Sequence, residues 1–460
     1  MQISDLYSVF LNHPVVTTDS RNCPPGSIFF ALKGDKFDGN NYIEQALQNG
    51  ADFAVGDCAN LPQNDRIIRV DNVLQSLQDL ANYHRKQLNP IVIAVTGTNG
   101  KTTSKELIAA ALSTMYPVLF TQGNLNNHIG VPLTLLQLKP EHRFAVIEMG
   151  ANHPGEIREL CKIADPDFGL ITNVGKAHLE GFGSFEGVVR TKTELYEYIR
   201  EKGGSVFVNI DNPILKERSE NTNRIFYGTS SEAFVQGRII ESENYLEMEW
   251  RLMCLKKELK RHCEGDSPKQ SIENNDHGLL HSVRNDENYK IKTQLVGNYN
   301  FENVLAAICV TVYFNVKAIN NAIAGYAPTN NRSQNMKTKR NHLIIDAYNA
   351  NPSSMQVALD NFLSFNVSPK MAIIGEMKEL GEYSREEHQK IIDRLLESKI
   401  DKIIICGENF ANIKPSALNW MFFQYTQDLL NYLKTENISG YYILIKGSRT
   451  NKLEETIEFL

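Results

Sequence analysis

The chain of 460 residues lacks the marks of several protein classes. No apolar run approaches the roughly 20 residues that a membrane-spanning helix needs, so no membrane insertion is expected. The opening residues, MQISDLYSVFLNHPVV, show neither a basic start nor a small-residue cleavage pattern, which argues against a secretory signal. The seven cysteines are scattered without a C-x-x-C pair. They read as reduced thiols of a cytoplasmic protein, not as a disulfide framework or a zinc site. Positive charge is not in excess: 48 Lys and Arg stand against 54 Asp and Glu, a formal charge of −6. That balance argues against a general nucleic-acid binder. Internal repeats are absent. What remains is ordinary globular composition, 42% hydrophobic and 22% charged, at a length that suggests about three domains.

Residues 91–107, IVIAVTGTNGKTTSKEL, organise the rest. Five apolar residues, Ile91–Val95, read as a buried strand, and Ser104–Met115 reads as a helix. Between them Gly97, Thr98, Asn99, Gly100, Lys101, Thr102 and Thr103 form a glycine loop. Strand, glycine loop and helix are the setting that a phosphate-binding loop requires. Glycines let backbone N–H groups converge on phosphate oxygens, and the helix N-terminus adds partial positive charge. Lys101 is expected to reach the outer phosphates and Thr102 to offer its hydroxyl to Mg2+. The loop is a shortened variant, because Val95 stands where the usual first glycine falls.

Residues 1–87 read as a small α/β domain, with strands at Ser27–Leu32 and Ala51–Val55 around a helix at Tyr42–Asn49. The loops holding Ser20, Arg21 and Lys33 lie beside these strands. Ser20 and Arg21 either grip a phosphate or uracil edge or form a plain surface turn. Residues 88–315 alternate strand and helix signals, as a mostly parallel sheet does. Glu148 ends a strand at Phe144–Ile147 and is placed to hold Mg2+. His178 follows a strand at Gly169–Asn173; alone, such a histidine is as readily structural as functional. Lys192 falls within a helix at Phe185–Ile199, where a lysine ordinarily faces solvent. Composition shifts from about 240 to 290, and about 256–288 reads as a polar, solvated insertion. Beyond the strand Ile291–Val296, Asn300 and Asn303 open a helix that they either cap or use to read a purine edge. Residues 316–460 show a second doubly wound, Rossmann-like pattern, with strands at His342–Ala347, Met371–Ile374, Lys402–Cys406 and Tyr442–Ile445. Polar loops follow those strands, where α/β folds hold ligands.

The motifs then become recognisable in order. G-T-N-G-K-T at 97–102, G-N-x-N-N at 123–127 with Ile129-Gly130-Val131-Pro132, E-M-G at 148–150, T-N-V at 172–174, A-H-L-E-G-F at 177–182 and G-x-x-N at 297–300 with Asn303 together resemble the ATP-dependent muramyl ligases of peptidoglycan precursor synthesis. The resemblance spans nearly the whole chain. Three further stretches are similar to the member that adds D-alanyl-D-alanine to UDP-N-acetylmuramoyl-tripeptide: D-S-R with F-x-A-L-K-G-x-x-F-D-G at 19–39, Y-N-A-N-P-S-S-M at 348–355, and G-E-M-x-E-L-G-E-Y-S at 375–384. The sister ligase that adds the third residue usually carries D-N-P-R where this chain has Tyr348-Asn-Ala-Asn-Pro352. A folate polyglutamate ligase leaves the first-domain loops unexplained.

The resemblance implies a set of roles. Residues Gly97–Thr103, Asn300, Asn303, Arg332 and Asp346 would bind ATP. Thr102 and Glu148 would hold one Mg2+, and His178 with Lys192 a second, Lys192 being carbamylated by CO2. A bare ammonium beside Mg2+ is repelled, whereas a carbamate is not. Ser20, Arg21, Lys33, Asn126 and Asn127 would face the UDP-sugar peptide, and Asn349, Asn351 and Ser354 the incoming dipeptide. Lys101, Glu148, His178 and Lys192 would form the catalytic group of a monomeric enzyme. Two other classes fit the phosphate loop alone: a small-molecule kinase, whose phosphorylated product survives, and a nucleotide-gated binding protein that turns nothing over.

Overall fold

The structure, a computed structural model, describes residues 2–240, 245–253, 287–328, 332, 334–413, 415 and 419–460. The polar segment expected at about 256–288 falls almost wholly outside the described residues. The architecture is α/β in three domains, each built on its own mainly parallel sheet, as the alternating pattern predicts.

The strand Ile91–Thr96 owes its place to its sequence. IVIAVT is β-branched or apolar throughout, and every residue but Ile91 is buried. It pairs in parallel with Phe144–Glu148 on one side and Phe168–Ile171 on the other, within a nine-stranded sheet. From Ile91–Thr96 the chain runs first to the edge strand Val118–Phe120, returns to Phe144–Glu148, and then crosses to Phe168–Ile171. The order therefore reverses at Ile91–Thr96, and the loops at the carboxyl ends of these three strands face one crevice, the usual ligand position in open α/β sheets. Beyond them the sheet continues through Ser205–Asn209, Asn223–Gly228 and Val235–Ile240, then ends in two antiparallel strands, Tyr245–Leu252 and Tyr289–Val296. Tyr245–Leu252 lies inside the stretch read from sequence only as a shift in composition. Its alternation, YLEMEWRL, buries Leu246, Met248 and Trp250 against the helix Phe301–Tyr313 side of the sheet. Val316, Ile319 and Ile323 share that core, so the central domain runs past the 315/316 division expected from sequence.

The first domain is a four-stranded parallel sheet, Val16–Thr17, Ser27–Phe30, Ala51–Gly56 and Ile67–Arg69 in that order. The helix Val73–Leu88 fastens it to the central domain. Asn72 caps this helix through the Gln75 N–H at 2.9 Å. At its far end Arg85, 1% exposed, donates to the carbonyls of Ala164 and Asp165 and to the Asp167 carboxylate. One continuous core therefore joins Leu6, Phe10 and Ile28 of the first domain to Val92, Ala145 and Leu160 of the second. The third domain carries a six-stranded sheet in the order Gln334–Lys337, His342–Asp346, Tyr442–Lys446, Lys370–Gly375, Lys402–Cys406, Trp420–Phe423, with only the first pair antiparallel.

Candidate active site

A cleft of about 890 Å³ opens where the central and third domains meet. Its walls include Thr98, Asn99, Gly100, Lys101 and Thr103 of the phosphate loop, and Arg332, Asp346, Asn349, Asn351 and Ser354 of the third domain. Residues more than two hundred positions apart in the chain thus share one surface.

The phosphate loop is held open for an anion. Gly97 and Gly100 take φ of +142° and +77°. A Cβ on Gly97 would fall 2.0 Å from Thr172 Oγ1, and one on Gly100 would fall 2.2 Å from Asn303 Oδ1. Thr172 Oγ1 donates to the Asn99 carbonyl at 2.6 Å, while the Asn99 N–H donates to Asn173 Oδ1 at 2.9 Å. The helix Lys101–Leu112 has no side-chain cap at its N-terminus, so its first N–H groups are left for a ligand. Lys101 folds over the loop and donates to the Gly97 and Thr98 carbonyls at 2.8 and 2.9 Å. Burial lowers its ammonium to about 8; Arg332 pushes the same way and Glu148 opposes.

Beneath the loop lies an oxygen-rich floor. Thr102 Oγ1 donates to Glu148 Oε2 at 2.9 Å, and Asn126 Nδ2 donates to Glu148 Oε1 at 2.9 Å. Glu148 and Thr102 are buried, and Lys105 Nζ stands 3.7 Å from the same carboxylate. A hydroxyl and a carboxylate side by side, below a phosphate loop, suit Mg2+, which takes few protein oxygens and keeps waters or phosphates for the rest. Among the described residues no group of three or more His, Cys, Asp or Glu side chains comes together as a metal cluster.

From the third domain, Asn351 Nδ2 donates to Asn99 Oδ1 at 2.9 Å across the cleft. The same residue caps the helix Pro352–Ser364 in a reciprocal box with Ser354. Asp346 holds Lys446 Nζ at 2.5 Å. The Arg332 guanidinium lies 3.7 Å from the centre of the Tyr348 ring, and its Nε is buried without a hydrogen-bond partner.

Models of the Mur ligase family match three successive parts of the chain: the "Mur ligase family, catalytic domain" at 14–85, the "Mur ligase middle domain" at 95–311 and the "Mur ligase, glutamate ligase domain" at 331–449. The UDP-N-acetylmuramoyl-tripeptide–D-alanyl-D-alanine ligase of Bacillus subtilis is 33% identical over 457 residues, covering 97% of this chain and 92% of its own. The chain belongs to the Mur ligase family. The Escherichia coli ligase of the same description is 31% identical, with 97% and 93% of the two chains covered. Among solved structures, MurF ligase from Thermotoga maritima in complex with ADP superposes with a TM-score of 0.81 at 27% identity, covering 98% of this chain and 97% of that one. MurF from Acinetobacter baumannii gives 0.80 at 28% identity, with 96% and 92% covered.

The remaining residues singled out from this Mur ligase's sequence fall into two groups. His178 lines the cleft with its Nδ1 bonded to the Glu379 carboxylate of the third domain. Lys192 lies behind the wall rather than on a solvated helix face; it is 2% exposed, with Nζ 3.3 Å from the Ala151 carbonyl. Both side chains touch the Phe182 ring. Burial drives the Lys192 ammonium well below its ordinary range, and Lys101 adds to the effect against Glu156 and Glu194. Among the described residues it has no ion-pair partner. Asn300 and Asn303 are buried and bonded to each other at 3.1 Å, and Asn303 Oδ1 accepts from Ser104 Oγ, so they brace the phosphate-loop helix while edging the cleft. Asn127 edges the cleft, and its Oδ1 accepts from the Ile129 and Gly130 N–H groups at 3.1 and 2.8 Å where the helix Gly130–Leu135 begins.

Ser20, Arg21 and Lys33 stand apart from this cleft in the first domain. Arg21 is closed on Asp19 at 2.8 Å and remains highly exposed, and Lys33 pairs with Asp57 at 2.8 Å. The Ser20 carbonyl accepts from Asn49 Nδ2 at 2.8 Å. Several residues that shape the cleft were not expected from sequence. Asn173 and Lys105 sit inside motifs whose spacing pointed to them, Lys105 being one helical turn beyond Lys101. Glu379 and Tyr348 lie in third-domain motifs, but only the fold reveals what they face.

Proposed function

We propose that this chain joins D-alanyl-D-alanine to the terminal carboxylate of UDP-N-acetylmuramoyl-tripeptide, using ATP and passing through an acyl phosphate. The observation that carries this reading is the shared cleft: a phosphate loop and its Thr102–Glu148 floor face the Asn349–Ser354 turn of the third domain. A kinase needs only the first half of that surface. The full-length similarity to ligases of this description supports the same choice.

The substrate carboxylate attacks the γ-phosphoryl group, and ADP leaves. Lys101 and the uncapped helix N-terminus offset the charge on the phosphates during this step. Mg2+ held by Thr102 and Glu148 would neutralise the phosphate oxygens when bound. The amine of the dipeptide then attacks the acyl carbon and phosphate departs. Asn349, Asn351 and Ser354 line the side from which this amine would arrive. Docking of the third domain keeps water from the acyl phosphate.

We assign Lys192 the carbamate. A neutral amine attacks CO2, and burial, reinforced by Lys101 and only partly opposed by Glu156 and Glu194, favours the neutral form. Carbamylation would turn that buried nitrogen into an anionic ligand near His178 for a second Mg2+. The first domain, ending near residue 87, holds the UDP-sugar through Ser20, Arg21 and Lys33. The third takes over after Gly325. We take the enzyme to act as a monomer in the cytoplasm. No helix among the described residues is long and apolar enough to cross a membrane. The test is phosphate release from ATP with UDP-N-acetylmuramoyl-tripeptide, with and without D-alanyl-D-alanine. Dipeptide-dependent release with one UDP-N-acetylmuramoyl-pentapeptide formed per phosphate is expected. Release that ignores the dipeptide, with no pentapeptide by mass, contradicts the assignment.

A further inference from the structure

The third-domain loop after the strand Lys370–Gly375 crosses to the turn that carries His178. The Glu379 carboxylate meets His178 Nδ1, and the Glu379 carbonyl accepts from the Glu180 N–H at 3.3 Å. Gly381 packs so closely that a Cβ on it would lie 3.3 Å from Glu180 Cβ. Both members of the pair take left-handed backbone, His178 at φ 51° and Glu379 at φ 61°. Left-handed backbone is uncommon in residues with a Cβ, histidine adopting it more readily than glutamate, and such positions are found disproportionately at functional sites. A second set of bonds ties the same two domains together: Lys176 Nζ to Glu387 at 3.1 Å and the Lys176 N–H to Ser353 Oγ at 2.9 Å. The loop itself is anchored from below, where the Met377 N–H donates to His388 Nε2 at 2.9 Å.

We propose that Glu379 is a positioning residue of the ligase reaction. It fixes the proton of His178 on Nδ1 and leaves the Nε2 lone pair available to the cleft. A neutral imidazole donates from one nitrogen and accepts at the other, and a carboxylate at one nitrogen sets both tautomer and ring orientation. His178 lines the cleft and Glu379 does not, so the carboxylate acts through the histidine. The two residues belong to different domains. The imidazole is therefore set only while the third domain, which faces the amine substrate, is docked. Activation of the carboxylate is in this way coupled to the arrival of the domain that consumes the acyl phosphate. This inference rests on the ligase reading given above.

The test uses the full chain with 15N-labelled histidine, its domains closed by a non-hydrolysable ATP analogue. Long-range 1H–15N correlation reads the His178 tautomer, with His178→Gln identifying the resonance. The wild type and Glu379→Gln, whose amide oxygen still accepts from Nδ1–H, should show the Nδ1–H form. Glu379→Ala should show a mixture. In ligation, Glu379→Ala should lose about 10–100-fold in kcat, the range typical of groups that orient a functional histidine, with KM for ATP and dipeptide nearly unchanged. Glu379→Gln should recover most of that loss. A wild-type tautomer in Glu379→Ala overturns the proposal, as does an effect confined to KM or an equal loss in Glu379→Gln. If the wild type itself makes no pentapeptide, the ligase reading fails instead, while the tautomer measurement, which needs no ligation, still judges Glu379.

Discussion

Replacing Gly97 by alanine strikes the phosphate loop at its tightest point. The position takes φ of +142°, and the added Cβ would fall 2.0 Å from Thr172 Oγ1 and 3.1 Å from the Asn173 carbonyl. Strained backbone of this kind costs about 1–3 kcal/mol in a residue with a side chain. Thr172 is buried and cannot yield without breaking its 2.6 Å bond to the Asn99 carbonyl, a further loss of roughly 0.5–1.5 kcal/mol. The sum, about 1.5–4.5 kcal/mol, can be relieved by shifting the loop, which misplaces the N–H groups meant for phosphate. At tenfold per 1.4 kcal/mol, ATP affinity should fall on the order of 100-fold. Gly203→Ala is the control: φ is +75°, nothing lies within 4 Å of the new Cβ, and the site closes a helix away from the cleft. It should cost about 1 kcal/mol of stability and leave ATP binding unchanged. Calorimetric titration with an ATP analogue and urea unfolding of both variants measure the two terms. Wild-type affinity and wild-type stability in Gly97→Ala would refute the account of the loop.

Three other outcomes follow from named contacts. Lys192→Ala should abolish ligation, and millimolar acetate or formate should restore part of it by supplying the missing carboxylate; full activity in the variant alone removes the carbamate role. His388 is buried, with Nε2 accepting from the Met377 N–H and Nδ1 facing the Ser384 carbonyl, so protonation would cost it an acceptor. Burial lowers its folded pKa below 6.5, and the unfolded chain then binds more protons in acid. Stability should therefore hold above pH 6.5 and fall as pH drops through the folded pKa, with a shallower slope in His388→Gln; urea unfolding at pH 5.5 and 7.5 reads this. Asn351→Ala removes both the cap of the helix Pro352–Ser364 and the bond to Asn99. It should lower stability by about 1 kcal/mol and slow ligation, which Asn351→Asp, still able to cap, should separate.

The phosphate loop was legible in sequence because its chemistry is local: strand, glycines, lysine and helix follow one another within residues 91–112. Glu148 was legible for the same reason, as a carboxylate ending the neighbouring strand. The contacts that close the cleft were not. Asn99 and Asn351 are 252 positions apart, and His178 and Glu379 are 201 apart; no period or spacing relates them. Lys192 misleads when read alone, since a lysine within an amphipathic helix ordinarily faces water; here the helix Phe185–Lys202 turns that position inward among Val188, Leu195 and Tyr196. Two further elements carry local signals in the sequence. Asn72 before VLQSLQDLANYHRKQL marks a capped helix, and YLEMEWRL alternates as a half-buried strand should. The latter borders a long polar tract that masked it. The D-S-R loop reads in sequence either as a substrate grip or as a plain surface turn; in the fold its arginine is closed on its own aspartate, a local contact compatible with both.

The central claim is that one cleft first phosphorylates a carboxylate and then passes its acyl group to an amine. Tripeptide labelled with 18O in its terminal carboxylate tests it directly. If the carboxylate oxygen attacks the γ-phosphoryl group and the amine then displaces phosphate, each phosphate released in the presence of D-alanyl-D-alanine carries one 18O, and the pentapeptide retains the other oxygen. Phosphate free of label, alongside unaltered tripeptide, would contradict the account.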